Sequence, residues 1–540
     1  MSDGAPDGQD DAAGDASRAG RDEVRRRDER AEEGGGRARQ ERQKRLGRLT
    51  ARERIALLCD PDSFIEFGKH VLHRHAADSD VLASNQHPGD GLVCGLGAVD
   101  GRTIAVYAHD PTVLRGALGH AAAQKLCRLL DLAGARGAPV IAIADCDGVR
   151  VEEGTDAIDA YGEVIRRTVR LKHRVPQITL VCGLCVGAAA YTAALTDLVG
   201  MVAGQSYLFI TGPKVTKVVT GEEVTLEDLG GPLLHSKKTG ACHAVLADEA
   251  AGIAWVKRVL AALESRPAAV GAAERARPEV GADGARAAAE EDPADRLTPE
   301  IGALIPAEPR RAYDMRKLLA AAFDKDSLLE LSTAFAPNLI TAVARLAGRA
   351  VALVASQPLQ LAGCLDIDAS RKGAQFVTWA NANRLPIVTL VDVPGYLPGR
   401  KQEEGGILPH GATLLTAYAN ATVPLVCLVV RKSFGGASVL SFAADLRLAL
   451  PTARVGPMGA DATVEVVLGA QAPDATAAEL AVREQRKAAF LERHDHAWAA
   501  AEAGYLDRVI APDHVRRELC RALDRLCAPA AGGPAPGPAR

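Results

Sequence analysis

The feature that most constrains this chain is that it carries one pattern twice. Gly187 and Gly435 lie 248 residues apart, and so do Asp197 and Asp445 (435 − 187, 445 − 197). Upstream, Gly101 pairs with Gly348, Lys125 with Lys372, Pro139 with Pro386 and Asp145 with Asp392, each pair 247 apart (348 − 101, 372 − 125, 386 − 139, 392 − 145). A register held to one residue from Gly101 to Asp197 marks a duplicated domain. The chain has 540 residues, enough for two such domains with separate cores.

Each copy alternates apolar runs with helical stretches. In the first, Leu92 to Val99 and Thr103 to Ala108 read as strands joined at Asp100-Gly101, a hairpin signal. A helix from Gly119 to Gly134, a strand from Pro139 to Ala144, a helix near Tyr161 to Lys172 and a strand from Gln177 to Val181 follow. In the second copy, strands flank Gly348, Pro386 to Val391 is a strand, and Leu425 to Val430 runs into Gly435-Gly436-Ala437. This alternation predicts two tandem α/β domains.

Composition sets their limits. Residues 1–45 are charged and Gly-rich, with almost no large apolar side chains, which predicts a disordered tail or a frayed charged helix. Order begins near Leu49, where Thr50-Ala-Arg-Glu53 forms a capping box. The expected N-terminal domain covers 46–263. Residues 264–300, rich in Ala, Pro, Glu and Arg, read as a linker. The C-terminal domain covers 301–527, and the Pro/Gly/Ala stretch 528–540 reads as a flexible tail.

Net charge is −4, which gives no footprint for nucleic acid. No apolar run suits a membrane span, and the first residues lack a signal-peptide core. The 11 cysteines are odd in number and several sit in apolar runs, as in reduced thiols of a cytoplasmic protein. Cys182 and Cys185 form a lone CxxC with no second pair at zinc spacing, so no metal is expected.

Familiar side-chain machinery is missing. There is no G-x-S-x-G elbow, no G-x-x-x-x-G-K-[ST] loop and no G-x-G-x-x-G after the first strand. Ser433 and Ser438 flank the second glycine turn without an assignable base. Glu152 and Glu153 are the carboxylates a hydratase or hydrolase would need, but charges beside a loop are more often solvated. What remains is backbone. A strand that turns through glycines into a helix leaves N–H groups aimed at one spot, able to hold an oxyanion. Such amides occur near Gly148 and Val149, near Gly187 and Ala188, near Gly395, and from Gly435 to Ala437. Two holes, one per copy, suit a reaction in which two carbonyls gain negative charge.

Long motifs resemble a known family, the β subunit of biotin-dependent acyl-CoA carboxylases of the propionyl-CoA type. They are RLTARERIALLCD, GDGLVCGLGAVDGR, AYGEVIRR, FITGPKVTKVVTGEEVTLEDLGG, SQPLQLAGCLDIDASRKGAQF, VDVPGYLPG, AYANATVP and RKSFGGAS. The resemblance runs from about Lys44 to Leu526. It implies two crotonase-like domains of stacked ββα units, with acyl-CoA bound by the first and biotin by the second. Carboxybiotin, carried on a biotin carboxylase/biotin carboxyl carrier α subunit, would release CO2, and the acyl enolate would attack it. By position, Gly187 and Ala188 would hold the thioester oxygen, and Gly436 and Ala437 the ureido oxygen. Gly148, Val149, Gly395 and Gly435 would line the substrates, and Val439 the acyl pocket. The family implies a homo-hexamer, a trimer of dimers with sites shared between subunits. A biotin-dependent decarboxylase subunit and a non-catalytic paralogue are the alternatives within this fold. The chain departs from the family pattern at Arg115, Asp147, Ala188, Pro409 and Ser438. Backbone amides survive such changes, while pocket shape need not.

Overall fold

The computed structural model describes residues 8–73, 80–264, 292–308, 310–469 and 474–528. The chain divides into two compact units between Lys257 and Arg258.

Each unit is built around a mixed sheet of eight strands, and the two sheets have matching order. In the first, Ile65–Glu66, Leu92–Val99, Arg102–His109, Val140–Cys146, Gln177–Val186, Leu198–Val202 and Ala244–Leu246 are neighbours in that sequence. Tyr207–Phe209 also pairs with Gln177–Val186. The hairpin strands are antiparallel and the rest parallel. The second sheet repeats this with Leu329–Leu331, Leu339–Leu346, Arg349–Ser356, Ile387–Val393, Leu425–Phe434, Leu446–Ala449 and Arg508–Val509, and Arg454–Gly456 beside Leu425–Phe434. Both long glycine-turn strands divide their pairing. Leu198–Val202 takes residues 178–181 of the first, and Tyr207–Phe209 takes residues 184–186. The strand thus changes partner along its length and stays paired up to its glycine turn. The tandem α/β architecture expected from the duplication is the one observed.

Local chemistry repeats with the topology. The hairpin turns have positive φ at both central residues, 51° and 78° at Asp100-Gly101, 48° and 76° at Ala347-Gly348. This is the turn that matches strand twist. A carboxylate fixes each: Asp60 accepts from the Asp100 and Gly101 amides, and Asp324 from those of Ala347 and Gly348. The paired lysines tie down carbonyls beside the hairpins. Lys125 Nζ donates to Gly89 O at 2.8 Å, and Lys372 Nζ to Leu339, Phe335 and Ser332 O at 2.7, 2.8 and 2.9 Å.

The central buried charge pair is built differently in the two units. Asp145 and Asp392 both sit near the ends of all-buried strands. In the first unit Arg54, on the helix Ala51–Leu58 and 0% exposed, donates twice to Asp145 at 3.2 Å and grips Glu249 at 2.7 and 2.8 Å. In the second unit the cation comes from the adjacent strand Leu425–Phe434: Arg431 Nε donates to Asp392 at 3.0 Å. Position 431 matches Gly183 of the first copy (431 − 183 = 248), where even a Cβ would stand 2.0 Å from the Asp145 carboxylate. The fourth residue of helix Met315–Ala322, which matches Arg54, is the buried Leu318. One guanidinium is thus kept beside the aspartate while its point of attachment changes.

At the domain edges the structure refines the expectations. Of the two for the charged start, a disordered tail or a frayed charged helix, residues 8–45 take the helical one. They form helices Gly8–Glu32 and Arg37–Arg45, carrying side-chain pairs such as Arg25–Asp22 and Arg27–Glu23. The turn between them docks on the first unit: Gly35 N donates to Thr112 Oγ1 at 2.9 Å, and Arg39 to Thr112 O at 2.9 Å. The expected linker 264–300 ends early, because residues from Asp292 onward are built into the second unit. Thr298 N donates to Asp513 O at 2.8 Å, and Ile301 is fully buried. Residues 265–291 and the expected tail from 529 onward lie outside the described residues. The unit division also precedes the expected boundary at 263 by a few residues.

Arg54→Met keeps most of the side-chain volume but strands Asp145 and Glu249 without their cation. Leaving a buried charge unpaired costs about 3–5 kcal/mol. The variant should show a clearly lowered first melting transition by calorimetry; an unchanged one would mean that water or relaxation replaces the guanidinium.

Candidate active site

The first hole is assembled from two loops at the strand ends. Gly187 follows Gln177–Val186 and precedes the helix Ala188–Leu195, with φ 59° and ψ −122°, a conformation natural only to glycine. Its own N–H donates to Phe209 O at 3.1 Å. The amide of Gly187 is therefore not free for a thioester oxygen, which corrects the sequence reading; its contribution is the turn that aims the amides after it. The helix makes its first internal bond from Tyr191 N to Gly187 O at 3.2 Å, and no side chain caps it. The amides of Ala188, Ala189 and Ala190 are the orphan donors of a helix start. Of these residues only Ala188 keeps appreciable exposure.

The facing loop follows Val140–Cys146. Gly148 adopts φ 91°, and a Cβ there would stand 2.7 Å from Val186 O and 3.9 Å from Ala188 N. Only glycine lets the two loops meet this closely. Leu118 N donates to Gly148 O at 2.9 Å and Arg150 N to Leu118 O at 3.0 Å. Between them the Val149 N–H has no partner among the described residues. Val149 and Ala188 thus place two free amides on the two facing loops.

A buried charge cluster holds this loop still. Arg150, 0% exposed, bonds Asp90 at 2.5 Å, Glu153 at 2.8 Å and the Ala117 carbonyl at 2.9 Å. The same two carboxylates accept from the start of helix His120–Arg136, Glu153 from His120 N at 2.7 Å and Asp90 from Ala122 N at 3.0 Å. The helix N-terminus offsets the surplus negative charge. Burial raises the Asp90 pKa, against the opposing pull of Arg150. Glu153 is accordingly a structural anchor and Glu152 is not enclosed with it; the hydratase reading loses its acid.

The second hole follows the same plan with different side chains. Gly435 has φ 61°, and Gly435–Ser438 forms a 3-10 turn leading to helix Val439–Phe442. In the repeat register Gly436 matches Ala188 and Ala437 matches Ala189 (436 − 188 = 437 − 189 = 248). Gly436 is exposed, whereas Ala437 and Val439 are buried at 0% and 1%. An i→i+3 turn of this kind leaves its first amides free and folds later ones back on the chain. The accessible donor is therefore Gly436 rather than Ala437. Opposite it, Leu365 N donates to Gly395 O at 3.1 Å and Leu397 N to Leu365 O at 2.7 Å, leaving the Tyr396 N–H without a partner among the described residues. Gly395 has φ 147° and open space around its Cα, unlike Gly148. Tyr396 was not singled out from the sequence. It replaces Val149 (396 − 149 = 247), and its ring would lie 3.6 Å from a Cβ on Gly436. Only the duplication register could have found it.

The serines beside this turn are not nucleophiles. Ser433 Oγ bonds Ser438 Oγ at 3.1 Å, Ser441 bonds the Ser438 carbonyl at 2.8 Å, and Ser441 Oγ lies 2.8 Å from the Tyr505 hydroxyl. Ser433 is fully buried, and histidine is absent from this hydrogen-bond chain. Among the described residues no cluster of His, Cys, Asp and Glu could hold a metal ion. What the geometry offers is electrophilic backbone in two copies.

Comparison with known proteins agrees with that chemistry. The carboxyl transferase domain model matches residues 42–531. The chain is 41% identical over 498 residues to a propionyl-CoA carboxylase beta chain of Roseobacter denitrificans, covering 91% of this chain and 93% of that one. It is 40% identical to the mitochondrial propionyl-CoA carboxylase beta chain of Homo sapiens, covering 91% and 88%. Among solved structures, transcarboxylase 12S, described as a hexamer with hydrolysed methylmalonyl-coenzyme A bound, superposes with a TM-score of 0.85 at 35% identity over 95% of this chain and 97% of its own. With duplicated amide holes, no side-chain nucleophile at the second turn and a family match across nearly its whole length, the chain belongs to the carboxyl transferase family, as an acyl-CoA carboxyltransferase.

Proposed function

We propose that this chain is the carboxyltransferase subunit of a biotin-dependent acyl-CoA carboxylase acting on a short acyl-CoA. The observation that carries the reading is the pair of amide holes, one in each copy of the fold. The Val149 and Ala188 amides would hold the thioester oxygen and stabilise the enolate formed when the α-proton passes to the ureido group that biotin would present once it has given up CO2. Donors preorganised where charge develops are worth more than donors that must reorient. The Tyr396 and Gly436 amides would hold the ureido oxygen of biotin, with the Tyr396 ring as a flat wall beside it. Biotin fits there because Gly436 is exposed and carries no side chain to block the approach. Carboxybiotin supplies the carboxyl group when a carrier presents it. The relatives' names support propionyl-CoA as substrate, and the transcarboxylase 12S description supports a hexamer. Among the described residues no helix is long and apolar enough to cross a membrane, in keeping with a cytoplasmic location. Exposed apolar residues in each unit fit subunit association: Ile210, Val218 and Val219 in the first unit, Leu408, Phe442 and Val466 in the second.

Reconstituted with its biotinylated carrier subunit, ATP and labelled bicarbonate, the chain should place label on propionyl-CoA or another short acyl-CoA. Absence of label across an acyl-CoA panel would sink the reading.

Ala188→Pro tests the mechanism. Proline is well tolerated at the first position of a helix, so the variant should fold while losing one donor. Removing an oxyanion donor costs about 10²–10³ in kcat. Ser433→Ala keeps every amide and should change kcat by less than about three-fold. Equal damage from the two would point to side-chain catalysis.

If sites are shared between subunits, Ala188→Pro and Gly436→Pro should each be inactive yet complement when co-expressed. A mixed dimer then has one site with both lesions and one with neither. Random pairing returns roughly a quarter of wild-type activity. Mixed assemblies that stay inactive would show that each chain builds its own site.

A further inference from the structure

The first hole has a charged pair at its edge that the second lacks. Leu114, Arg115 and Gly116 run consecutively at φ 46°, 54° and 69°, and Leu361, Ala362 and Gly363 repeat this at 49°, 52° and 79°. The left-handed region is costly for a residue with a side chain. The second copy fills the middle position with alanine. The first fills it with Arg115, whose Nε–H donates to the Asp147 carboxylate. The position matching Asp147 in the second copy is Pro394 (394 − 147 = 247), so no counterpart pair exists. The backbones are tied as well, since Asp147 N donates to Arg115 O at 3.3 Å.

Asp147 stands one residue before Gly148 and two before Val149, on the loop that carries the free Val149 amide. Its side chain is 24% exposed and that of Arg115 70% exposed. A carboxylate there opposes negative charge on any oxygen the amides hold. Partial burial keeps water from screening it fully. Among the described residues Arg115 is the cation bonded to it. The Arg150 guanidinium, next along the chain, is occupied by Asp90 and Glu153.

We propose that Arg115 is a positioning residue for the first hole: by pairing with Asp147 it cancels the carboxylate beside the Val149 and Ala188 amides, so that the hole favours an anionic oxygen on a bound acyl-CoA. The inference rests on the acyl-CoA reading above. It makes Arg115 and Asp147 an electrostatic unit in which losing the cation alone is worse than losing both charges.

The test uses the full chain and two CoA thioethers, S-ethyl-CoA, which is neutral, and S-carboxymethyl-CoA, which carries a carboxylate where the thioester oxygen would lie. Affinities are measured by calorimetry. Arg115→Gln should weaken S-carboxymethyl-CoA by roughly three- to ten-fold and leave S-ethyl-CoA unchanged. Arg115→Lys should stay near wild type. Adding Asp147→Asn to Arg115→Gln should restore the anionic ligand, and ~0.5 M salt should shrink the whole effect. Equal weakening of both ligands, or no rescue by Asp147→Asn, would overturn the proposal and leave Arg115 a merely structural residue. If the wild-type chain binds neither thioether, the acyl-CoA reading itself fails and Arg115 falls with it, an outcome distinct from unaltered selectivity in a chain that binds both.

Discussion

A buried aspartate clamped by a guanidinium near the end of a central strand is the interaction on which each unit depends. Asp145 and Asp392 lie where the sheet gives way to the loop that carries half of each hole. A carboxylate in such a place is tolerable only with a cation close by. In the first unit Arg54 reaches it from a neighbouring helix and also binds Glu249, tying together three segments far apart in sequence. In the second unit Arg431 does so from the adjacent strand, against the Tyr313 ring at 5.1 Å and the Arg311 carbonyl at 2.8 Å. The exchange between Arg54 with Gly183 and Leu318 with Arg431 shows what is held fixed. The volume and charge at that spot persist, while the backbone that supplies them does not.

From this clamp the site follows in steps. The aspartate strand ends, its loop packs against the glycine turn of the next strand, and free amides face the gap. Glycine at 148 is required by contact with Val186 O, and glycine at 187 by its dihedral angles. Both spend their own N–H within the protein. The free amides belong to the residues after the special glycines, whose side chains are free to differ between copies. This explains how Ala188 in one copy and Gly436 in the other, or Val149 and Tyr396, can occupy one role. The two holes also differ in shape, the first closed in at Gly148 and the second open at Gly395 with the Tyr396 ring beside Gly436.

The sequence by itself determined the duplication, the α/β alternation, the hairpin turns and the four loops that carry the holes. These are local or periodic properties, and a repeated register makes them visible because equal spacing means equal place. For the charged start, composition left a tail and a helix both open, and the fold decides for the helix. Low apolar content argues against a core, but a helix needs none of its own when its turn docks on Thr112. Only the tertiary structure decided which amides are free. Gly187 and Ala188 look equivalent as neighbours in sequence, yet Phe209 takes the first and leaves the second, and nothing near Gly187 announces a partner more than twenty residues away. Burial likewise separates Gly436 from Ala437, and pairing decides that Glu153 anchors a helix and Arg115 faces Asp147. A hydrogen bond is satisfied once, by whichever group the fold brings nearest, and that competition between distant segments is not written in any single stretch of residues.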